Sequence, residues 1–191
     1  MARWEPNAQE RLMLAALELF VDVGYDRTTV AEITERAGLT KRTFFRHYAD
    51  KREVLFLGQD VLIKVFTDAI ADAPPSATPL VTVAAALDAA AGVAFTEERR
   101  EFARQRQSVI EANDSLRERE LLKAAKLTSS MAEALRARGV PEPAAGLAAE
   151  LGSLTLATAF VRWTEPTSRA DFTTLAHEAL EELRKAAATL R

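Results

Sequence analysis

From Asn7 to Val23 the apolar positions Leu12, Ala15, Ala16, Leu19, Phe20 and Val23 recur at the spacing of a single helical stripe. Pro6 lies just before this segment and Gly24 just after it, a start and a stop that suit a helix. A second, shorter helix opens at Thr29, where Thr29-Val30-Ala31-Glu32 has the form of a capping box. Val30, Ile33 and Ala37 make its inner stripe, and Gly38 ends it. Leu39 leads to Thr40, which caps a third short helix running to Tyr48, with Phe44 and Tyr48 turned inward. Asp50-Lys51-Arg52-Glu53 is another capping box and predicts a long fourth helix over 51–71. Its apolar residues, among them Val54, Leu55, Val61, Leu62, Phe66 and Ile70, occupy more than one side. Such a helix is expected to be covered on several sides, between two packed units.

Ala73-Pro74-Pro75-Ser76 then breaks the pattern. Further helices are predicted over 79–95, 97–112, 114–138, 143–163 and 168–190, with Asp114, Gly139-Val140-Pro141 and Pro166-Thr167-Ser168 as caps and breaks. The last is the best patterned: Phe172, Leu175, Ala176, Ala179, Leu180, Leu183, Ala187 and Leu190 share one face. No tandem repeat is present. The fold class expected is all-α.

Composition agrees with that reading. Seven glycines and seven prolines in 191 residues leave few breakers, and 48% apolar with 28% charged residues is ordinary for a globular chain. There is no cysteine, which excludes disulfides and thiol nucleophiles. The N-terminal segment lacks the apolar stretch of a signal peptide. No run of about 18 or more apolar residues is read that could span a bilayer; even Pro79–Phe95 is interrupted by Asp88. A cytoplasmic location is expected.

The net charge of −3 hides a local excess. Between Arg36 and Arg52 lie six basic residues (Arg36, Lys41, Arg42, Arg46, Lys51 and Arg52) and one acid, Asp50. A basic block alone describes any solvated face. Here it falls on the second of two short helices joined by Ala37-Gly38-Leu39, the length and glycine turn of a helix-turn-helix. In that motif the second helix enters the major groove. Lys41, Arg42, Arg46 and His47 are the outward neighbours of Phe44 and Tyr48.

The run from Thr28 through Ile33, Ala37-Gly38-Leu39-Thr40-Lys41 and Thr43 through Leu55 resembles the TetR family of transcriptional regulators. The resemblance covers about residues 8–57. It implies a three-helix DNA-binding domain, 1–52, joined by a long fourth helix to a helical effector-binding and dimerisation domain, 53–191. It also implies roles. Thr29 would hold a phosphate at a helix start, and Thr40 would cap the recognition helix. Lys41 and Arg42 would approach base edges, Arg42 with a fork suited to guanine. Thr43, His47 and Lys51 would anchor phosphates. Two positions depart from the family pattern. Arg42 stands where a small residue is common, which implies an operator preference of its own. Phe45 stands where tyrosine is common, so its ring would pack on a sugar or a thymine methyl. Phe44, Tyr48 and Leu39 are read as core, and Arg3 as a possible basic arm.

For the remainder, two final helices rich in small residues and a Leu/Ala/Phe stripe are expected to form a homodimer through about 143–163 and 168–190, with intramolecular packing as the alternative. A mostly apolar small-molecule effector is expected among the middle helices. Candidate lining residues include Phe66, Phe95, Phe102, Arg106, Thr155 and Trp163, each with plain core as the alternative. The functional expectation is a ligand-responsive repressor that binds a palindromic operator as a dimer, with no cofactor. A helical small-molecule carrier without DNA binding is the rival, but a carrier needs no basic reading helix. An enzyme is disfavoured, since the two histidines, His47 and His177, are far apart and no HExxH, P-loop, GxGxxG or GxSxG pattern occurs.

Overall fold

The computed structural model describes residues 7–190, so Arg3 and its expected role as an arm lie outside the described residues. Their order is α1 (Ala8–Asp22), α2 (Val30–Arg36), α3 (Lys41–His47), a 3-10 helix (Lys51–Phe56), α4 (Gln59–Asp72), α5 (Pro79–Ala94), α6 (Glu97–Glu111), α7 (Asp114–Ala137), α8 (Glu142–Thr164) and α9 (Phe172–Thr189). The all-α architecture expected from the periodicity is the one observed. The chain divides into two compact units. One comprises the chain up to Gln59 together with Gln105–Glu120; the other comprises Asp60–Arg104 and the chain from Leu121 on.

In the first unit α1 buries Leu12, Ala15, Ala16, Leu19 and Phe20 of the stripe predicted for it, while Val23, its last predicted member, follows the end of the helix and is exposed. Asn7 caps it by accepting from the Glu10 amide at 2.9 Å. The major departure from expectation is at residues 51–71. In place of one long helix there is a 3-10 turn, a break at Leu57-Gly58, and then α4. Asp50 accepts from the amides of both Arg52 and Glu53, which closes a tight turn. Gly58 has a φ of +91°, a left-handed backbone that cannot continue a helix and that favours glycine. The breadth of the apolar pattern has the same origin. Val54, Leu55 and Phe56 are buried in the first unit, whereas Phe66 and Ile70 belong to the core of the second. Two elements with separate cores, read as one, give a helix apolar on too many sides.

The second unit holds two clusters. Phe66, Ile70, Val83, Leu87, Leu127, Met131, Leu135 and Ala149 form one; Ala91, Trp163, Phe172, Leu175 and Ala176 belong to the other. Phe95 and Leu156 pack against both. The small residues of α8 make this possible. A Cβ added at Gly152 would stand 2.6 Å from a methyl of Val83 and 3.6 Å from the Met131 sulfur. Val83 is fully buried and β-branched, so it has nowhere to turn. Gly152→Ala gains about 1 kcal/mol of helix propensity against an overpacking cost of about 1–3 kcal/mol. A net destabilisation is expected, read as a lower urea midpoint at unchanged slope; a raised midpoint would mean that α5 and α8 can part without loss.

α8 also corrects the expectation that no segment is long and apolar enough to cross a bilayer. An 18-residue window within it has mean hydropathy 1.5, enough by length and composition. Glu142, Glu150 and Arg162 are too widely spaced along it to interrupt such a window. A core helix of a helical bundle has the same composition, and α8 packs along both α5 and α9.

Candidate nucleic-acid interface

Each short helix of the pair begins with a threonine, and each threonine works. At α2 both arms of the capping box form: the Thr29 hydroxyl accepts from the Glu32 amide at 3.3 Å, and the Thr29 amide donates to the Glu32 carboxylate at 2.7 Å. These bonds from the Thr29 backbone and hydroxyl hold the Glu32 carboxyl below its ordinary range. The cap therefore keeps its charge to lower pH than an ordinary glutamate and loses it as pH falls through that lowered value. At α3 the Thr40 hydroxyl accepts from the Thr43 amide at 3.2 Å. The turn between the helices closes through Gly38, with φ +62°, and the Leu39 amide donates to the Thr34 carbonyl at 2.8 Å.

α3 is fixed from beneath. Phe44 is fully buried and lies 5.4 Å, ring to ring, from Tyr48. The Tyr48 hydroxyl donates to the Gln9 carbonyl of the first turn of α1 at 3.0 Å, and burial pushes its pKa up to about 12. Arg11 donates to the Ala37 carbonyl at 2.6 Å, tying α1 to the turn itself. Sequence reasoning missed Arg11 because the contact joins residues far apart in the chain, with no local pattern to mark it. What remains outward on α3 is Lys41, Arg42, Phe45 and Arg46, all exposed, Phe45 to 57%.

The six basic residues are not equivalent in the folded chain. Arg36 pairs with Glu18 at 3.0 Å, and Arg52 with Asp50 at 2.7 Å. A nitrogen of Arg46 is 3.3 Å from the His47 ring. Lys51 turns inward: its ammonium donates to the carbonyls of Tyr25 at 2.7 Å and Thr28 at 2.9 Å, and lies 4.2 Å from the Tyr25 ring centre. Lys41 and Arg42 alone of the six make no side-chain hydrogen bond or ion pair among the described residues. A cation left on a rigid surface with no partner of its own is desolvated at least cost when an external anion or base edge arrives.

The expected DNA residues thus separate. Thr40, Lys41, Arg42, Thr43, Phe45 and His47 are gathered on or beside α3, Thr43 through a 3.1 Å contact with the Thr40 hydroxyl. Thr29 heads α2 with its amide and hydroxyl both given to Glu32, and Lys51 serves the loop before it.

The expected effector residues are not gathered. Phe66 belongs to one cluster of the second unit. Phe95 and Trp163 sit in an aromatic group with Phe160 and Phe172, Phe95 stacked on Phe172 at 4.1 Å. Phe102 is half-buried on α6. Thr155 is buried and donates to the Leu151 carbonyl of its own helix at 2.7 Å. Arg106 lies in the first unit, bound to Leu55 and Glu120. A cavity of about 490 Å³ in the first unit is lined by Phe20, Tyr25, Arg27, Val109 and Asn113 among others, and a shallower one of about 360 Å³ lies on α8 against Leu147, Leu151 and Leu154. None of the six candidates lines either.

Comparison with known proteins bears on the same segment. The family described as bacterial regulatory proteins, tetR family, matches residues 12–56, which contain the helix pair and the 3-10 turn. The transcriptional regulator TcmR of Streptomyces glaucescens is 36% identical over 86 residues, a stretch covering 45% of this chain and 38% of TcmR. This chain therefore matches well under two thirds of that relative's length. Among solved structures, a transcriptional regulator from Aquifex aeolicus superposes with a TM-score of 0.59 at 19% identity, over 94% of this chain and 99% of that one. FadR of Thermus thermophilus, a TetR-family repressor solved with lauroyl-CoA, gives 0.54 at 23% identity, over 92% and 93%. Identities this low speak for the fold, and the sequence match speaks for the N-terminal helices. The motif, the capped helix pair and the sequence match agree on the N-terminal segment: residues 12–56 are similar to the tetR family of bacterial regulatory proteins, and the whole chain shares the fold of solved transcriptional regulators.

Proposed function

We propose that this chain is a sequence-specific, ligand-responsive transcriptional regulator, a repressor in mode, that reads double-stranded DNA with α3. The observation that carries the reading is the pair of exposed cations, Lys41 and Arg42, without a partner among the described residues, at the start of a helix pinned by Phe44 and Tyr48. Their position is that of the base-reading end of a recognition helix. Arg42 suits guanine and Lys41 an adjacent acceptor. Thr43 and His47 flank them toward the backbone of the duplex, where they set register rather than sequence. Thr29 and Lys51 contribute through the placement of the α2 start, with Phe45 packing on a sugar or a thymine methyl.

The operator is read as a palindrome by a homodimer. Its interface is assigned to α8 and α9, because α8 leaves Leu147, Leu154 and Val161 exposed at intervals of seven residues, 63%, 50% and 55% accessible. That spacing keeps them on one line of the helix, as a seam against a second helix requires. The effector is a mostly apolar small molecule held by the second unit, with Phe66, Phe95, Phe102, Thr155 and Trp163 as its candidate contacts. Arg106 drops from that set because its guanidinium is engaged in the first unit.

The test is selection of duplexes from a randomised pool by the full chain at fixed salt, since phosphate contacts make affinity salt-dependent. Recovery of an inverted repeat with half-site centres about 34–36 Å apart is expected. A pool that shows no enriched sequence overturns the reading, and a single enriched half-site overturns the dimer.

A further inference from the structure

We infer that Arg106 and Arg119 are positioning residues for the DNA-reading helices, an inference that rests on the DNA-binding reading above. The starting point is the 3-10 turn. Hydrogen-bond geometry in a 3-10 helix is poorer than in an α-helix, and runs beyond a few residues are uncommon. This one spans Lys51–Phe56, so something outside it has to hold it.

The α6–α7 turn supplies the hold. The Arg106 Nε donates to the Leu55 carbonyl at 2.7 Å, and its two terminal nitrogens donate to the Glu120 carboxylate at 3.3 and 2.8 Å. The same guanidinium lies 5.0 Å from the Phe56 ring centre. Arg119, from the first turns of α7, donates to the Glu53 carboxylate. Three of the six residues of the turn are thereby held from α6 and α7 through a carbonyl, a ring and a carboxylate. Arg106 is only 17% exposed, so these bonds are not diluted by solvent as surface pairs are. A planar guanidinium can serve the carbonyl, the carboxylate and the ring at once; an ammonium cannot.

The turn in turn fixes the reading helices. Its first residue, Lys51, donates to the Tyr25 and Thr28 carbonyls, and Thr28 precedes the Thr29 cap of α2. Contacts therefore run from Arg106 to the 3-10 turn, to the α1–α2 loop, and to the helix that carries α3. Neither arginine is part of the reading surface. Both act on where that surface stands.

The test uses the full chain with R106A, R119A and the milder R106K. Hydrogen exchange monitors the amides of Arg52–Phe56 and of the loop before Thr29, with those of α8 and α9 as reference. Faster exchange in the turn and loop alone is expected for R106A and R119A, with R106K between them and wild type. Unchanged exchange overturns the inference whether or not the chain binds DNA. On a fluorescent duplex selected by the wild type, R106A and R119A are expected to bind about tenfold more weakly, within the usual range of coupling between sites. The slope of log affinity against log salt should stay the same, because no phosphate contact is lost. A slope reduced by about one for each arginine would make them phosphate ligands and overturn the inference. Wild-type binding without sequence preference, with the exchange pattern as expected, would remove the DNA reading while leaving the clasp in place.

Discussion

Replacing Lys41 and Arg42 together with alanine is expected to remove sequence discrimination while leaving the fold intact. A good bidentate base contact contributes about 1–3 kcal/mol of discrimination, so two acting independently amount to about 2–6 kcal/mol per half-site. That corresponds to a loss of roughly 30-fold to more than 10⁴-fold in affinity for the selected operator. Binding to unrelated duplexes should fall far less, because other basic and polar groups of the surface remain. Neither side chain has an internal partner among the described residues, so urea midpoints should move within about 0.5 kcal/mol of wild type. Arg36→Ala supplies the contrast. Its bond to Glu18 joins side chains that are 46% and 60% exposed, and such pairs contribute about 0–1 kcal/mol. It is expected to leave the sequence preference untouched. Competition of specific against scrambled duplex by anisotropy decides the matter. A double variant that keeps the wild-type preference would mean that α3 is not the reading helix.

The second large effect is expected at Trp163→Ala. Trp163 is 1% exposed, with Phe95 and Phe172 each 5.9 Å away and Phe160 at 6.1 Å, ring to ring. Truncating a buried tryptophan costs about 3–5 kcal/mol, part of it the cavity left behind. A second loss follows. Arg100 lies 5.3 Å from the indole while donating to the Ser168 and Ala170 carbonyls at 3.1 and 2.7 Å. Without the indole that guanidinium loses its apolar cover, and the connection between α8 and α9 loses its brace. Far-UV circular dichroism in urea measures the change without relying on the deleted fluorophore. The result also bears on the proposed effector site. A loss below about 1 kcal/mol would be too small for a core tryptophan and would mark Trp163 as a lining residue whose packing awaits a ligand.

Much of the fold was legible in the sequence because helices announce their ends locally. Thr29 and Thr40 each cap the helix expected to follow. The α1 stripe through Phe20 and the first half of the α9 stripe, Phe172, Leu175, Ala176 and Ala179, are buried where the periodicity places them. The last helix starts at Phe172, capped by Asp171, rather than at 168, and Ala187 and Leu190 at its end are exposed. The break at Leu57-Gly58 was not legible. A capping box at Asp50 and apolar residues on both sides of the break read as continuity, and only the backbone angle at Gly58 separates them. For the candidate site, residue types and spacing located α3 and its cations but could not rank them. Which of six basic residues stay unpartnered depends on Glu18, Asp50, His47 and the loop carbonyls, all supplied by folding. The effector residues were the least legible. An apolar side chain that lines a cavity and one that fills a core follow the same period, so Phe66 and Trp163 gave no sign of which they were.

The composition of the first unit has a consequence for how the protein is made. Gln105–Glu120 belongs to the same compact unit as the N-terminal helices, with Leu116 fully buried and Val109 and Ile110 nearly so. A ribosome delivers α1 to α3 first and these residues well after α4 and α5. Domains generally fold as units during synthesis, but this unit cannot close until the start of α7 has left the exit tunnel. Until then Leu55, Phe56 and their neighbours lack part of their cover. Slow codons placed before α4 would lengthen that interval rather than help folding, and α2 and α3 become fully held only when the second unit is already under construction.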